Sequence, residues 1–173
     1  MKRVVVTGMG AVSPIGNNVP DMWANALAGT NGIAEITRAD VSDIKVKIAA
    51  EVKDFNPLDY ITKKQVRKND LYTQFAMVAA RQAVEDSGED GSLEPERLGV
   101  YVGSGIAGIS KRLAEVAKKE QRGPDRVPPT LRAMRIGNNA AGLVAVHQTR
   151  QSPGLPGGSA VAPHAKTLQQ AFQ

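Results

Sequence analysis

Apolar and polar residues recur along the chain in two periods, and each period marks a class of element. Val4–Val6 is a β-branched run that enters the glycine-rich stretch "TGMGAVSPIG", the pattern of a short strand followed by a loop. Asp21–Gly29, "DMWANALAG", reads as a short helix opened by Pro20 and Asp21 and closed by Gly29. Val46–Val52 reads as a strand, and Asn56–Tyr60 as a turn. Thr62 caps a helix whose first turn is "KKQVRK". The strongest helical pattern runs from Asp70 to Ser87, where Leu71, Phe75, Val78, Ala79 and Val84 repeat and Gly88 stops the helix. Leu98–Gly103 reads as a buried strand and Ile109–Glu120 as a charged amphipathic helix. Leu131–His147 reads as a small-residue helix broken near Gly137.

Strands alternating with helices predict an α/β fold with some parallel pairing. Gln148–Gly158 departs from that rhythm, with two prolines, three glycines and no apolar period. An α/β layer needs a strand here, yet "GLPGG" is poor strand material. Ser159–Phe172 then resumes a helical spacing through Ala165, Leu168 and Phe172.

Composition narrows the chemistry. With 173 residues, 42% hydrophobic and 23% charged, the chain is long enough for one domain with a real core. Cysteine is absent, which removes disulfides, thiolate metal sites and a cysteine nucleophile together. The amino-terminal apolar run is too short for a signal peptide and no stretch approaches a membrane span, so the expectation is cytoplasmic. The formal net charge of +5 raises nucleic acid as a partner. Only 4% of residues are aromatic and the cations are spread out, which argues against it.

The cations cluster locally at 63–68. Lys64, Arg67 and Lys68 stand at i, i+3 and i+4, on one helical face. If that face opens the helix, the charges oppose its dipole and favour an acidic partner; an ordinary solvated face is the plain alternative. "GSGIAG", Gly103–Gly108, fits a dinucleotide fingerprint after a strand. Its acidic partner would be Asp125, which lies in "RGPDRVPP" and cannot sit on a parallel core strand. Tight packing explains these glycines better, and no cofactor is expected. No glycine-rich loop ends in a P-loop lysine. His147 and His164 have no metal-ligand spacing to each other or to carboxylates, so no metal is expected. Glu85/Asp86 and Glu89/Asp90 read as solvated.

Several segments, in order, resemble the start of the elongating 3-oxoacyl-acyl-carrier-protein synthases (type II ketoacyl synthases) of bacterial fatty-acid synthesis. They are "KRVVVTGMGAVSPIGN", "LAGTNGI", "ITRAD", "EVKDFNP", "RKND", "QFAMVAARQAVEDSG" and "LGVYVGSGIAGI". The resemblance runs from about Lys2 to Val146. It implies a thiolase-like fold of two similar α/β halves, usually homodimeric, of which this chain holds an incomplete first half. It divides the chain into a ketoacyl-synthase-like region, 1–147, and a divergent tail, 148–173. In the family a cysteine at the start of a buried helix takes the acyl chain as a thioester, and histidines and a lysine of the second half serve decarboxylation. Ungapped alignment from "AAGLVAV" places Val161 on that cysteine. The resemblance also places Ile106 at the gate of the acyl tunnel. It places Lys64, Arg67 and Lys68, with Arg126, at positions that dock acyl carrier protein.

Two readings follow. One is a truncated or frame-damaged condensing enzyme, inactive because the nucleophile position is Val161. Loss of one T from GCC-TGT-GGC-ACC gives Ala-Val-Ala-Pro, the residues of Ala160–Pro163. The other is a non-catalytic module that docks acyl carrier protein or a partner synthase subunit.

Overall fold

The computed structural model describes residues 3–89, 99–104, 139–147 and 155–157. Helix α1 spans Val19–Leu27. It starts two residues ahead of the expected Asp21 because Asn18 is its cap, accepting from the Asp21 amide at 2.8 Å. Gly29 follows at φ +68°, the left-handed turn that lets the chain leave the helix. Strand β1, Ile33–Glu35, pairs antiparallel with β2, Ile48–Ala50, in the register Ile33 to Ala50. The expected Val46–Val52 strand is thus shorter than its apolar run. Its partner went unforeseen because three residues carry no readable period.

A side chain extends this hairpin past its ladder. The Glu51 carboxylate accepts from the Thr37 hydroxyl at 2.7 Å, the Thr37 amide at 3.1 Å and the Arg38 amide at 3.2 Å. The Thr37 hydroxyl bond is the main cause that holds the Glu51 pKa below its ordinary value. A carboxylate with a lowered folded pKa stabilises the fold above its unfolded pKa, and that contribution is lost as pH falls through the folded pKa. Carboxyl NMR should therefore find Glu51 titrating below a free glutamate. Thr37→Val should move it back up.

Helix α2, Lys63–Lys68, and helix α3, Leu71–Ser87, form a corner. The α3 boundaries are those expected: Asp70 caps it through the Thr73 amide at 3.1 Å, and Gly88 ends it at φ +67°. Its buried face is the expected one only in part: Val78 is buried as its spacing predicts. Thr73, Gln74, Met77 and Val78 are buried, whereas Leu71 is exposed and Phe75 turns aside to meet Phe55 edge-on at 4.8 Å. The helix is contacted on more than one side, so no single apolar stripe governs it. Met77, Ile61 and Val144 make a small core, with Tyr60, Val66, Val100 and Leu143 packed around it. Val144 comes from helix α4, Asn139–His147, whose fully buried Ala140 and Ala141 permit close approach.

The amino-terminal glycines lie across another side of α3. A Cβ on Gly10 would sit 1.9 Å from the Ala79 carbonyl oxygen, and one on Gly8 would sit 2.1 Å from that of Ala83. Between them, the Met9 amide donates to Asp86 at 2.9 Å. Gln82 accepts from the Ala11 amide and donates to the Asn17 carbonyl. These glycines exist for contact between two backbones. Gly10→Ala should destabilise the fold by about 3 kcal/mol or more, because the clash is with main chain that cannot rotate away. A thermal or urea melt of the variant measures it. The strand expected at Val4–Val6 does not form among the described residues; all three valines are exposed, and a β-branched run needs a ladder partner to become a strand.

Strand β3, Tyr101–Gly103, pairs in parallel with β4, Leu155–Gly157. This fulfils the parallel expectation and corrects the judgement that "GLPGG" pairs poorly. Pro156 stands opposite Val102. A backbone N–H in a ladder points to one side only, so a proline removes no bond to the neighbour its nitrogen faces away from. The helices expected at Ile109–Glu120 and Ser159–Phe172, and the first part of Leu131–His147, lie outside the described residues.

Candidate functional site

The α2 helix is built from its ends. Thr62 and Gln65 form a reciprocal capping box: the Gln65 amide donates to the Thr62 hydroxyl, and the Thr62 amide donates to Gln65 Oε1 at 2.8 Å. At the other end the Asn69 amide bonds the Gln65 carbonyl at 2.9 Å, and the helix stops. Val66 turns inward to the core, so the helix has a fixed inner side. Lys64, Arg67 and Lys68 are exposed. None of the three forms an ion pair or a side-chain hydrogen bond among the described residues.

The helix length changes one electrostatic expectation. At the opening of a longer helix these cations would oppose its dipole. The helix ends at Lys68, so Arg67 and Lys68 occupy its last turn, where positive charge is favourable. Lys64 alone of the trio stays in the unfavourable first turn. The case for an acidic partner therefore rests on three exposed, unpaired cations at i, i+3 and i+4, and no longer on dipole cost.

Two polar side chains of α3 hold this corner. Gln74, buried at 8% exposure, donates through Nε2 to the Val66 carbonyl at 3.1 Å and the Asn69 carbonyl at 3.0 Å. Arg81 donates to the Tyr60 carbonyl at 2.7 Å and pairs with Glu85 at 2.8 Å. That ties the 3-10 turn Pro57–Asp59 to α3. Neither role was foreseen; on a helix either residue passes for solvated surface. Gln74 also lines an open cleft of about 550 Å³ with Arg38, Asp54, Phe55 and Leu71. The Arg38 guanidinium is already spent on the Val52 carbonyl at 2.6 Å.

The remaining sequence candidates, Val161, Ile106 and Arg126, lie outside the described residues, as do Asp125 and His164. Of the Gly103–Gly108 loop, Gly103 and Ser104 are described, and Gly103 closes β3. Among the described residues no group of histidines and carboxylates could hold a metal, and no helix is long and apolar enough to cross a membrane.

The family model "Beta-ketoacyl synthase, N-terminal domain" matches residues 1–160. The chain belongs to the beta-ketoacyl synthase family. The ketoacyl synthase chain is 43% identical to 3-oxoacyl-[acyl-carrier-protein] synthase 2 of Staphylococcus aureus (strain COL), over 99% of its own length and 42% of that protein's. It thus spans less than half of such a relative. Its fold matches solved ketosynthases and is thiolase-like. The ishigamide ketosynthase/chain length factor superposes with a TM-score of 0.78 at 28% identity, covering 88% of this chain and 38% of that one. A type II PKS acyl-carrier protein in complex with its ketosynthase, bound to the hexaketide, superposes with a TM-score of 0.69 at 27% identity. That match covers 86% of this chain and 41% of the other.

Proposed function

We propose that this ketoacyl synthase chain binds acyl carrier protein through α2 and does not itself carry out condensation. The observation that carries the reading is the exposed trio Lys64, Arg67 and Lys68, unpaired among the described residues, on a helix whose inner side is fixed. An acidic carrier helix is the complement of such a face. The family membership and the solved complex of a related ketosynthase with its carrier protein support the same partner. Arg126 belongs to the same docking proposal by resemblance. The homodimer and cytoplasmic setting implied by the resemblance belong to the same proposal, as does Ile106 at the tunnel gate. The parent activity is condensation of acyl chains with malonyl-acyl-carrier-protein in fatty-acid synthesis. Val161 at the nucleophile position, in a sequence with no cysteine, removes the thioester route from this chain.

Titrating isotope-labelled acyl carrier protein with this chain tests the docking. At low salt, resonances of the carrier's acidic helix should shift. The shifts should fade as salt passes about 0.1 M, where exposed charges are screened beyond about 10 Å. No shift at low salt, with the chain shown folded by circular dichroism, would overturn the reading.

A further inference from the structure

A helix of six residues does not hold itself together in water, so the direction of its exposed face must be set by contacts outside it. The capping box secures the first turn of α2. Its last carbonyls have no donor within the helix. One of them, on Val66, receives the Gln74 amide, and the same nitrogen reaches the Asn69 carbonyl just past the helix end. A single buried amide from α3 therefore grips both sides of the α2–α3 corner. Val66 seats the inner side against the core by packing, and the Gln74 bonds add direction to that contact at the helix end.

We propose that Gln74 is the positioning residue of the basic face, fixing the direction in which Lys64, Arg67 and Lys68 leave the surface. Its bearing on binding rests on the docking reading above. The residue touches no partner itself. It acts by keeping three charges in one array, so that a partner meets them together.

The test uses the 173-residue chain with Gln74→Met and Gln74→Glu. Residue-resolved amide exchange and affinity for acyl carrier protein at two salt concentrations are measured for each. In Gln74→Met, which fills the space without donating, protection of the amides at 66–69 should fall about tenfold while mid-α3 keeps its protection. Carrier affinity at low salt should fall about three- to tenfold, and its salt dependence should become shallower, because fewer charges act in concert. Gln74→Glu should behave alike near neutral pH, where a carboxylate faces two carbonyl oxygens. On acidification toward about pH 5 its protonated form can donate one bond, and α2 protection should partly return. A residue that only fills space would show no such recovery.

Unchanged α2 protection in both variants would overturn the proposal. So would a loosened α2 whose carrier affinity and salt dependence match the unaltered chain. If Gln74→Met unfolds the chain, the acid recovery of Gln74→Glu decides: recovery supports the role and its absence overturns it. If the unaltered chain binds no carrier protein, the docking reading fails, and exchange alone judges whether Gln74 holds α2.

Discussion

No 3-oxoacyl product is expected above a protein-free control when this chain meets an acyl primer and malonyl-loaded acyl carrier protein. The family's route begins with a thiolate attacking a thioester. None of the 173 residues is a cysteine, and the position proposed for the nucleophile holds Val161, whose side chain has no lone pair to donate. Where chemistry passes through a covalent intermediate, loss of the nucleophile lowers kcat on the order of 10⁶-fold, because what remains is binding alone. Mass spectrometry of product and protein makes both halves visible. The unaltered chain should gain no acyl mass. Val161→Cys should take up one acyl group, a mass gain that the unaltered chain does not show. Turnover by the unaltered chain would remove Val161 from the nucleophile position.

Reversing the basic face should lower carrier affinity by about two orders of magnitude at low salt. Each exposed pair contributes roughly 0.2–1 kcal/mol, and reversal both deletes three attractions and adds three repulsions of similar size. The variant is Lys64→Glu with Arg67→Glu and Lys68→Glu. It takes the formal net charge from +5 to −1, two per position, so bulk charge alone would weaken a steered encounter. Reversal of the exposed Arg3, Lys45 and Lys53 to glutamate gives the same net charge elsewhere on the surface. That control should keep most of the affinity. Equal losses in the two triple variants would mean the partner senses charge and not this face.

The parts of this fold that were legible are those governed by neighbours in sequence. Thr62, Asp70 and Gly88 punctuate α2 and α3 where their side-chain oxygens or missing Cβ dictate, and the structure uses each of them so. The trio at 64, 67 and 68 is a matter of helical spacing alone. What was not legible depends on distant chain. Gln74 looks like surface until α2 folds back over it. Val4–Val6 has strand composition and no described partner. Pro156 argues against pairing, and β3, more than fifty residues earlier, pairs with its strand nonetheless. The sign of the dipole effect at Arg67 and Lys68 turned on where a six-residue helix ends, which its pattern does not encode. The family, by contrast, was readable throughout the first 146 residues, because it rests on several ordered segments.

The glycine contact with α3 has a consequence for how the chain is made. Met9 and Ala11 find their partners 77 and 71 residues later, at Asp86 and Gln82. Synthesis proceeds from the amino terminus at about 5–20 residues per second, so this segment waits roughly 4–15 s before its seat exists. Throughout that interval Gly8 and Gly10 have no helix backbone to lie against, and the segment is held by nothing but its own chain. Closing so long a loop also makes the contact a slow, late event in folding. A bulkier residue at Gly8 or Gly10 would then act twice, once on the finished fold and once on the yield of chains that reach it.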